Sequence, residues 1–127
     1  MDYQEFVQEV LKLGFIKDET MAGKAIKTVL GVLASKLEET QAMMLAQNLP
    51  QPLELEELKN HQIQPLPIPV EESIDAIGAK LHLDDGQARI LVNRVLHLAK
   101  KAIGDTGTIT EIERDLPMDW ILAVERA

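Results

Sequence analysis

Apolar residues recur three or four positions apart along the first half of the chain, which is the spacing of amphipathic helices. This pattern predicts a first helix that begins near Tyr3 and ends near residues 13–14. A longer second helix follows and runs to about Leu37, with Asp18 or Thr20 as its N-cap.

The second predicted helix has an apolar and a polar side. The apolar side consists of Ala22, Ile26, Val29, Leu30, Leu33 and Leu37. Lys24, Lys27 and Thr28 lie opposite, together with Gly23 and Gly31. Each glycine costs about 1 kcal/mol relative to alanine inside a helix. Such glycines let another backbone approach closely, although loose sequence tolerance explains them as well.

Two short helices complete the first half of the chain. Thr40 is the expected N-cap of the third helix, and Pro50 and Pro52 end it. The segment LELEELKN predicts a fourth short helix.

The second half predicts the same order of helices. Apolar spacing over residues 74–81 indicates one helix, and Asp84 with Gln87 has capping-box spacing at the start of a long one. Thr108 and Glu111 repeat that spacing after the turn GDTGT. The segment MDWILAVE predicts a last helix.

Matching positions in the two halves indicate an internal repeat. Asp18 matches Asp84 at one offset, and the Leu-Pro pairs at 49–50 and 116–117 match at an offset one residue longer. The sequence therefore predicts an all-α single domain in which two pseudo-equivalent repeats form one compact bundle of about six to eight helices. Its predicted parts are repeat one at about 3–60, a proline-rich connector at about 61–69, and repeat two at about 70–127.

The connector HQIQPLPIPVEE alternates Pro65, Pro67 and Pro69 with apolar residues. Prolines at every second position favour a polyproline-like segment or an edge strand. One interpretation is a stiff connector whose Leu66 and Ile68 pack into the core. The other is a docking strip or a strand-exchange segment, with the same two residues in contact with a partner.

Three segments resemble a known family: MDYQEF, AIKTVLGVLASKL and LAQNLPQPLE. They are similar to a bacterial family catalogued as domain of unknown function 2267. The resemblance covers nearly the whole chain and implies paired helical repeats that each end in a Leu-Pro segment. It implies no reaction, cofactor or catalytic residue.

Composition limits the classes of function. The chain has 127 residues, of which 46% are hydrophobic and 27% charged, and its formal net charge is −8. This acidic balance disfavours nucleic acid as a partner, and aromatic side chains, at 3%, are too few for base stacking. The chain has no cysteine, an acidic start and no long apolar run, so we expect a cytoplasmic protein that does not bind a membrane.

No motif indicates catalysis. The segment DTGT matches the Asp-Thr-Gly of aspartic proteases, but that chemistry needs two such loops, and a turn with a helix cap explains it. His61, His82 and His97 lie in separate predicted elements, so a metal site would need ligands from several of them. We therefore expect no enzyme activity, no metal, no cofactor and no catalytic residue.

The long helix of the second half has a basic stripe. Its polar residues are Arg89, Asn93, Arg94, His97, Lys100 and Lys101, within an arc of roughly 140°. The stripe is a solvated helix face, a surface for the acidic segments ELEE or VEESID of this chain or for an acidic partner, or a site for nucleic-acid phosphate. Ile90 lies inside the stripe and suits a contact surface.

Together these features favour a non-catalytic interaction or regulatory module that binds a protein partner or self-associates. The candidate interaction surface comprises Arg89, Ile90, Arg94, His97, Lys101, Leu66 and Ile68. The alternatives are a small-molecule binder or enzyme that uses a groove between the two repeats, and a helix-turn-helix-like nucleic-acid binder. The sequence indicates neither the partner nor a small-molecule ligand.

Overall fold

The computed structural model describes residues 1–60, 69–114 and 116–127. Within these ranges the chain forms eight α-helices and no strand: α1 Tyr3–Leu11, α2 Glu19–Ser35, α3 Glu39–Gln47, α4 Leu55–Asn60, α5 Val70–Leu81, α6 Asp85–Ile103, α7 Thr106–Glu113 and α8 Met118–Arg126. The helices pack into one bundle, which confirms the predicted all-α fold. The internal repeat and its boundaries stay a prediction.

The proline-rich connector is not among the described residues, apart from its last position. Leu66 and Ile68, which were predicted to pack into the core or to contact a partner, lie outside the described residues, and so does His61. Both interpretations of the connector stay predictions.

Helix α2 is the centre of the bundle. It packs against α1, α3, α4, α5 and α6, so it is buried on nearly all sides. The side of α2 predicted to be polar is therefore partly internal: Thr28 is 0% exposed and Gly23 and Gly31 are buried, whereas Lys24 is exposed. A Cβ atom at Gly23 would lie 2.6 Å from the hydroxyl oxygen of Tyr3, so the small residue there admits a side chain of α1.

Aspartate caps start four helices, the first of them α1, where the Asp2 carboxylate accepts the Glu5 amide at 2.9 Å. The Asp18 carboxylate accepts a hydrogen bond from the Met21 amide at 2.8 Å, which confirms the first of the two predicted caps of α2. Asp84 and Gln87 form the predicted capping box of α6, with bonds of 2.8 and 3.1 Å. At α7 the cap is Asp105.

Two predicted caps are wrong. Thr40 lies inside α3, whose N-cap is Glu38 and has no side-chain capping bond. Thr108 is the third residue of α7, and its amide and hydroxyl both donate to the Asp105 carboxylate, at 2.8 and 2.7 Å. These two bonds, the hydroxyl bond first, lower the pKa of Asp105.

One side of α6 lies in the core and the other at the surface. Its buried residues are Ala88, Leu91, Val92, Val95, Leu96, Leu98 and Ala99. They pack against α1, α2, α5, α7 and α8. The basic stripe predicted from the sequence therefore runs along the outer face of α6, between α5 and α8 at one end and α1 at the other.

Candidate functional site

Arg89, at the start of the stripe, binds a carboxylate of this chain. Its two terminal nitrogens donate to the two carboxylate oxygens of Glu71 on α5, at 2.8 and 2.7 Å, and Asp85 lies 3.4 Å away. This fork geometry lowers the pKa of Glu71 and raises that of Arg89. Of the alternatives for the stripe, an acidic surface on the same chain, VEESID, thus holds for Arg89.

Arg94 and Lys12 share one carboxylate. The Arg94 Nη1 atom lies 3.9 Å from Oε2 of Glu9 on α1, and the Lys12 ammonium lies 3.3 Å from the same oxygen. Because one carboxylate faces two cations, the net charge is positive where α6 packs against α1.

Lys100 and His97 contact the carboxyl end of α8. The Lys100 ammonium donates to the carbonyl oxygens of Val124 and Glu125, at 2.9 and 3.3 Å. His97 Nδ1 lies 3.3 Å from the carbonyl oxygen of Ala127. Cations suit a helix C-terminus, whose last carbonyls have no partner in the helix. Lys100 is therefore a structural member of the stripe.

The remaining cations line an open cleft of about 410 Å³ between α1, α6 and α8, which we call the basic cleft. Its lining is Glu9, Asn93, Arg94, His97, Leu98, Lys101, Arg126 and Ala127. Lys101 and Arg126 are exposed, and neither has an ion pair with a carboxylate in the described ranges. The cleft therefore combines three side-chain cations, besides His97, with one side-chain carboxylate, that of Glu9.

A second cavity, of about 310 Å³, adjoins the basic cleft between α5, α6 and α8, and we call it the apolar groove. Its lining is Val70, Glu71, Ile74, Arg89, Val92, Asn93, Leu96, Asp119, Leu122, Ala123 and Arg126. Asn93 and Arg126 line both cavities, so the two form one continuous depression along α6.

Three of the four charged residues that line the apolar groove, all except Arg126, have partners in the described part of the protein. Glu71 binds Arg89, and Asp119 Oδ2 accepts the amide of Val70 at 2.8 Å. Leu122 in the lining is 38% exposed, and Ile90 on the same helix as Arg89 is 52% exposed. The exposed position predicted for Ile90 is thus confirmed, whereas its role in binding stays a prediction.

Arg126 and Leu122 are the site residues that the sequence analysis missed. Both lie on α8, where the only sequence signal was the helical spacing of MDWILAVE. Arg126 follows the apolar residues of that segment, and nothing in the sequence places it beside α6.

One contact between the two halves, where Leu33 and Leu45 meet α6, α7 and α8, is apolar and leaves little empty space. The residues around it are Leu33, Leu45, Leu96, Ala99, Lys100, Ile103, Ile109, Ile112, Glu113, Leu116 and Val124, and they enclose about 20 Å³. That is room for about one water molecule. Glu113 Oε2 is buried there with no hydrogen-bond partner. Burial is the largest cause that raises the pKa of Glu113, and the negative charge of Glu125 adds to it, whereas the positive charge of Lys100 partly offsets the two.

Two further searches concern the described ranges alone. No group of three or more histidine, aspartate or glutamate side chains there is arranged to hold a metal ion. No helix there has both the length and the apolar character needed to cross a bilayer.

Comparison with protein families matches residues 3–122 to the family described as "Uncharacterized conserved protein (DUF2267)". Comparisons with curated proteins and with solved structures gave no match. The resemblance seen in the sequence is thereby confirmed for the family, and the bacterial origin of that family stays an expectation.

Proposed function

The chain belongs to the DUF2267 family of uncharacterized conserved proteins, and we propose that it is a non-catalytic interaction module whose basic cleft binds an acidic segment of a partner protein. One observation carries the proposal. Arg94, Lys101 and Arg126 line a cleft with a single side-chain carboxylate, on a chain whose formal net charge is −8.

The contrast between the cleft and the rest of the surface supports an acidic ligand. At physiological ionic strength charges are screened beyond about 8 Å, so an acidic segment inside the cleft experiences the nearby cations more than the distant net charge. The acidic remainder of the surface repels that segment elsewhere and so restricts it to the cleft.

The alternatives have less support. The apolar cavity beside Leu33 and Leu45 holds about 20 Å³, which is too small for a metabolite, so within the described ranges a small ligand between the halves would have to lie in the basic cleft itself. Arg89 and Lys100 are bonded within the chain, so fewer cations remain for nucleic-acid phosphate. Symmetric self-association through the cleft would place like charges opposite each other.

The test is affinity capture from a lysate of the host with three tagged proteins. These are the wild type, the variant with Arg94→Glu and Lys101→Glu, and a control with Lys17→Glu and Lys24→Glu, whose lysines are exposed elsewhere. We expect a protein in stoichiometric amount on the wild type and the control, released by salt, and reduced at least about tenfold on the cleft variant. Equal recovery on all three proteins would contradict the proposal.

A further inference from the structure

We infer that the bound segment is an amphipathic acidic helix, whose apolar side lies in the apolar groove and whose carboxylates face the basic cleft. The inference rests on the proposed function and adds the conformation and the side-chain pattern of the partner.

The two cavities have the dimensions of a helix site. They are continuous through Asn93 and Arg126 and follow α6 from Arg89 to Lys101. At 1.5 Å per residue this part of α6 is about 18 Å long, which a partner helix of about 12 residues covers.

The walls of the depression favour a helix over an extended segment. They consist of α1, α5, α6 and α8, whose backbone groups are bonded within the helices apart from the helix ends. The described ranges contain no strand edge to which an extended segment could add. A helix brings its own backbone hydrogen bonds and needs only side-chain contacts.

The apolar groove can receive apolar side chains without leaving a carboxylate unpaired. Its lining includes Val92, Leu96 and Ala123, and the exposed edge of Leu122 adds apolar surface. Glu71 and Asp119 are already hydrogen-bonded, so apolar groups above them leave neither carboxylate without a partner. Arg94 and Lys101 line the adjoining basic cleft, and Arg126 lines both cavities, so the ligand needs both an apolar and an acidic side.

Charge also decides between a partner and a second copy of this chain. If two α6 helices packed antiparallel, Arg94 and Lys101 of one copy would face the same cations of the other. The acidic amphipathic helix α1 of a second copy is not available either, because Phe6, Val7 and Val10 are buried in its own bundle. We therefore assign the site to a different protein.

The test uses two synthetic peptides, with blocked ends, of about 14 residues. The first peptide has leucines at positions i, i+3, i+4 and i+7, so that they share one face of a helix, and glutamates on both sides of that face. The second peptide has the same composition in another order, so that its leucines lie all around the helix. Nuclear magnetic resonance of the labelled full chain follows the titration. We expect the first peptide to shift the resonances of Asn93, Leu122 and Ala123, and to bind at least about tenfold more tightly than the second peptide.

Variants separate the two parts of the inference. We expect the binding of the first peptide to weaken about tenfold in Leu122→Asp and also in the double variant Arg94→Glu, Lys101→Glu. The control is Met43→Asp, at a residue on α3 that is 46% exposed, which leaves binding unchanged. Circular dichroism verifies that all variants keep the helical fold.

Several results would overturn the inference. Suppose that both peptides bind equally well, that Leu122→Asp does not affect their binding, and that charge reversal at Arg94 and Lys101 abolishes it. That result rejects the helical conformation of the ligand and leaves the proposed function intact. The inference is also rejected if no peptide binds at about 1 mM, if a short DNA duplex shifts the same resonances, or if Leu122→Asp abolishes concentration-dependent self-association. If the charge reversal leaves both peptide binding and lysate capture unchanged, the proposed function fails too.

Discussion

The cations of α6 have two different tasks. Arg89 and Lys100 bond to Glu71 and to the carbonyls of α8, so they stabilise the bundle itself. Arg94 has one distant and shared carboxylate, and Lys101 has none in the described ranges. Exposed ion pairs contribute only about 0.2–1 kcal/mol each, so reversing the charge of Arg94 and Lys101 changes binding far more than stability.

Glu113 is an acidic residue whose charge the fold disfavours. Burial, with the nearby Glu125, raises its pKa above the ordinary value of 4.5. The folded state therefore binds more protons at this group than the unfolded state, and the free energy of unfolding falls as the pH rises through the raised pKa.

Glu113→Gln should therefore stabilise the protein at neutral pH. The amide has no charge to desolvate, and we expect the melting temperature at pH 7 to rise by about 2 °C. The difference should vanish below about pH 4, where the carboxyl of the wild type is protonated in both states. Differential scanning calorimetry across this pH range measures both effects.

The matched control is Glu111→Gln on the same helix. Glu111 lies 3.1 Å from Arg114, so its replacement removes an exposed ion pair and should leave the melting temperature equal or slightly lower. A melting temperature that Glu113→Gln leaves unchanged or lowers at pH 7 would contradict the account of the contact between the halves.

Among the elements, α8 is bonded to its neighbours at both ends. Asp119 at its start accepts the Val70 amide and so serves as an N-cap for α5, because Pro69 has no side-chain acceptor. Lys100 donates to the carbonyls at its end, and Trp120 between them is 0% exposed. These contacts fix α8, and with it Leu122 and Arg126, beside α6.

Asp119→Ala should thus destabilise the whole bundle. It leaves the Val70 amide without its acceptor, and the expected loss is about 1 kcal/mol of unfolding free energy in a urea titration. Asp75→Ala, at an exposed residue of α5 itself, is the control and should change the free energy of unfolding by less than half as much. Equal effects of the two variants would show that the cap contributes nothing.

Local signals in the sequence were enough for most of the helices. Each helix needs only the spacing of its own side chains, so the order and approximate bounds of all eight were predictable. The caps at Asp18 and Asp84 were predicted, whereas those at Asp2 and Asp105 were missed, although all four carboxylates precede their helices. The cap at Thr108 was wrong because capping-box spacing alone does not tell which residue begins the helix: Asp105, three positions earlier, is the cap of α7. At α3 the N-cap is Glu38, two residues before the predicted Thr40.

Contacts between elements were beyond the sequence. The α6 stripe was predictable because one helix contains it, and VEESID, which includes Glu71, was among the surfaces proposed for it. Glu9 and Arg126, which line the basic cleft with the stripe, lie on α1 and α8 and were not predicted. The burial of Thr28 on α2 was missed for the same reason: that side becomes internal only when other helices pack around α2. Helical periodicity specifies a face, and packing decides whether that face meets solvent.

At the scale of the molecule, the two halves share one core. Helix α2 contacts both α5 and α6, α3 contacts α7, and α1 contacts α6. The depression along α6 depends on that arrangement, because α1 supplies one wall and α8 the other. In this depression, positive charge and accessible apolar surface meet on a chain whose formal net charge is −8.

The most direct test is the affinity of the captured partner for the wild type and for the Arg94→Glu, Lys101→Glu variant, by calorimetric titration at low and high salt. The account predicts that the charge reversal weakens binding at least about tenfold at low salt. It also predicts that the difference in affinity between the two proteins becomes smaller at high salt, because salt screens the charges of the cleft. Equal affinities for the two proteins at both salt concentrations would contradict it.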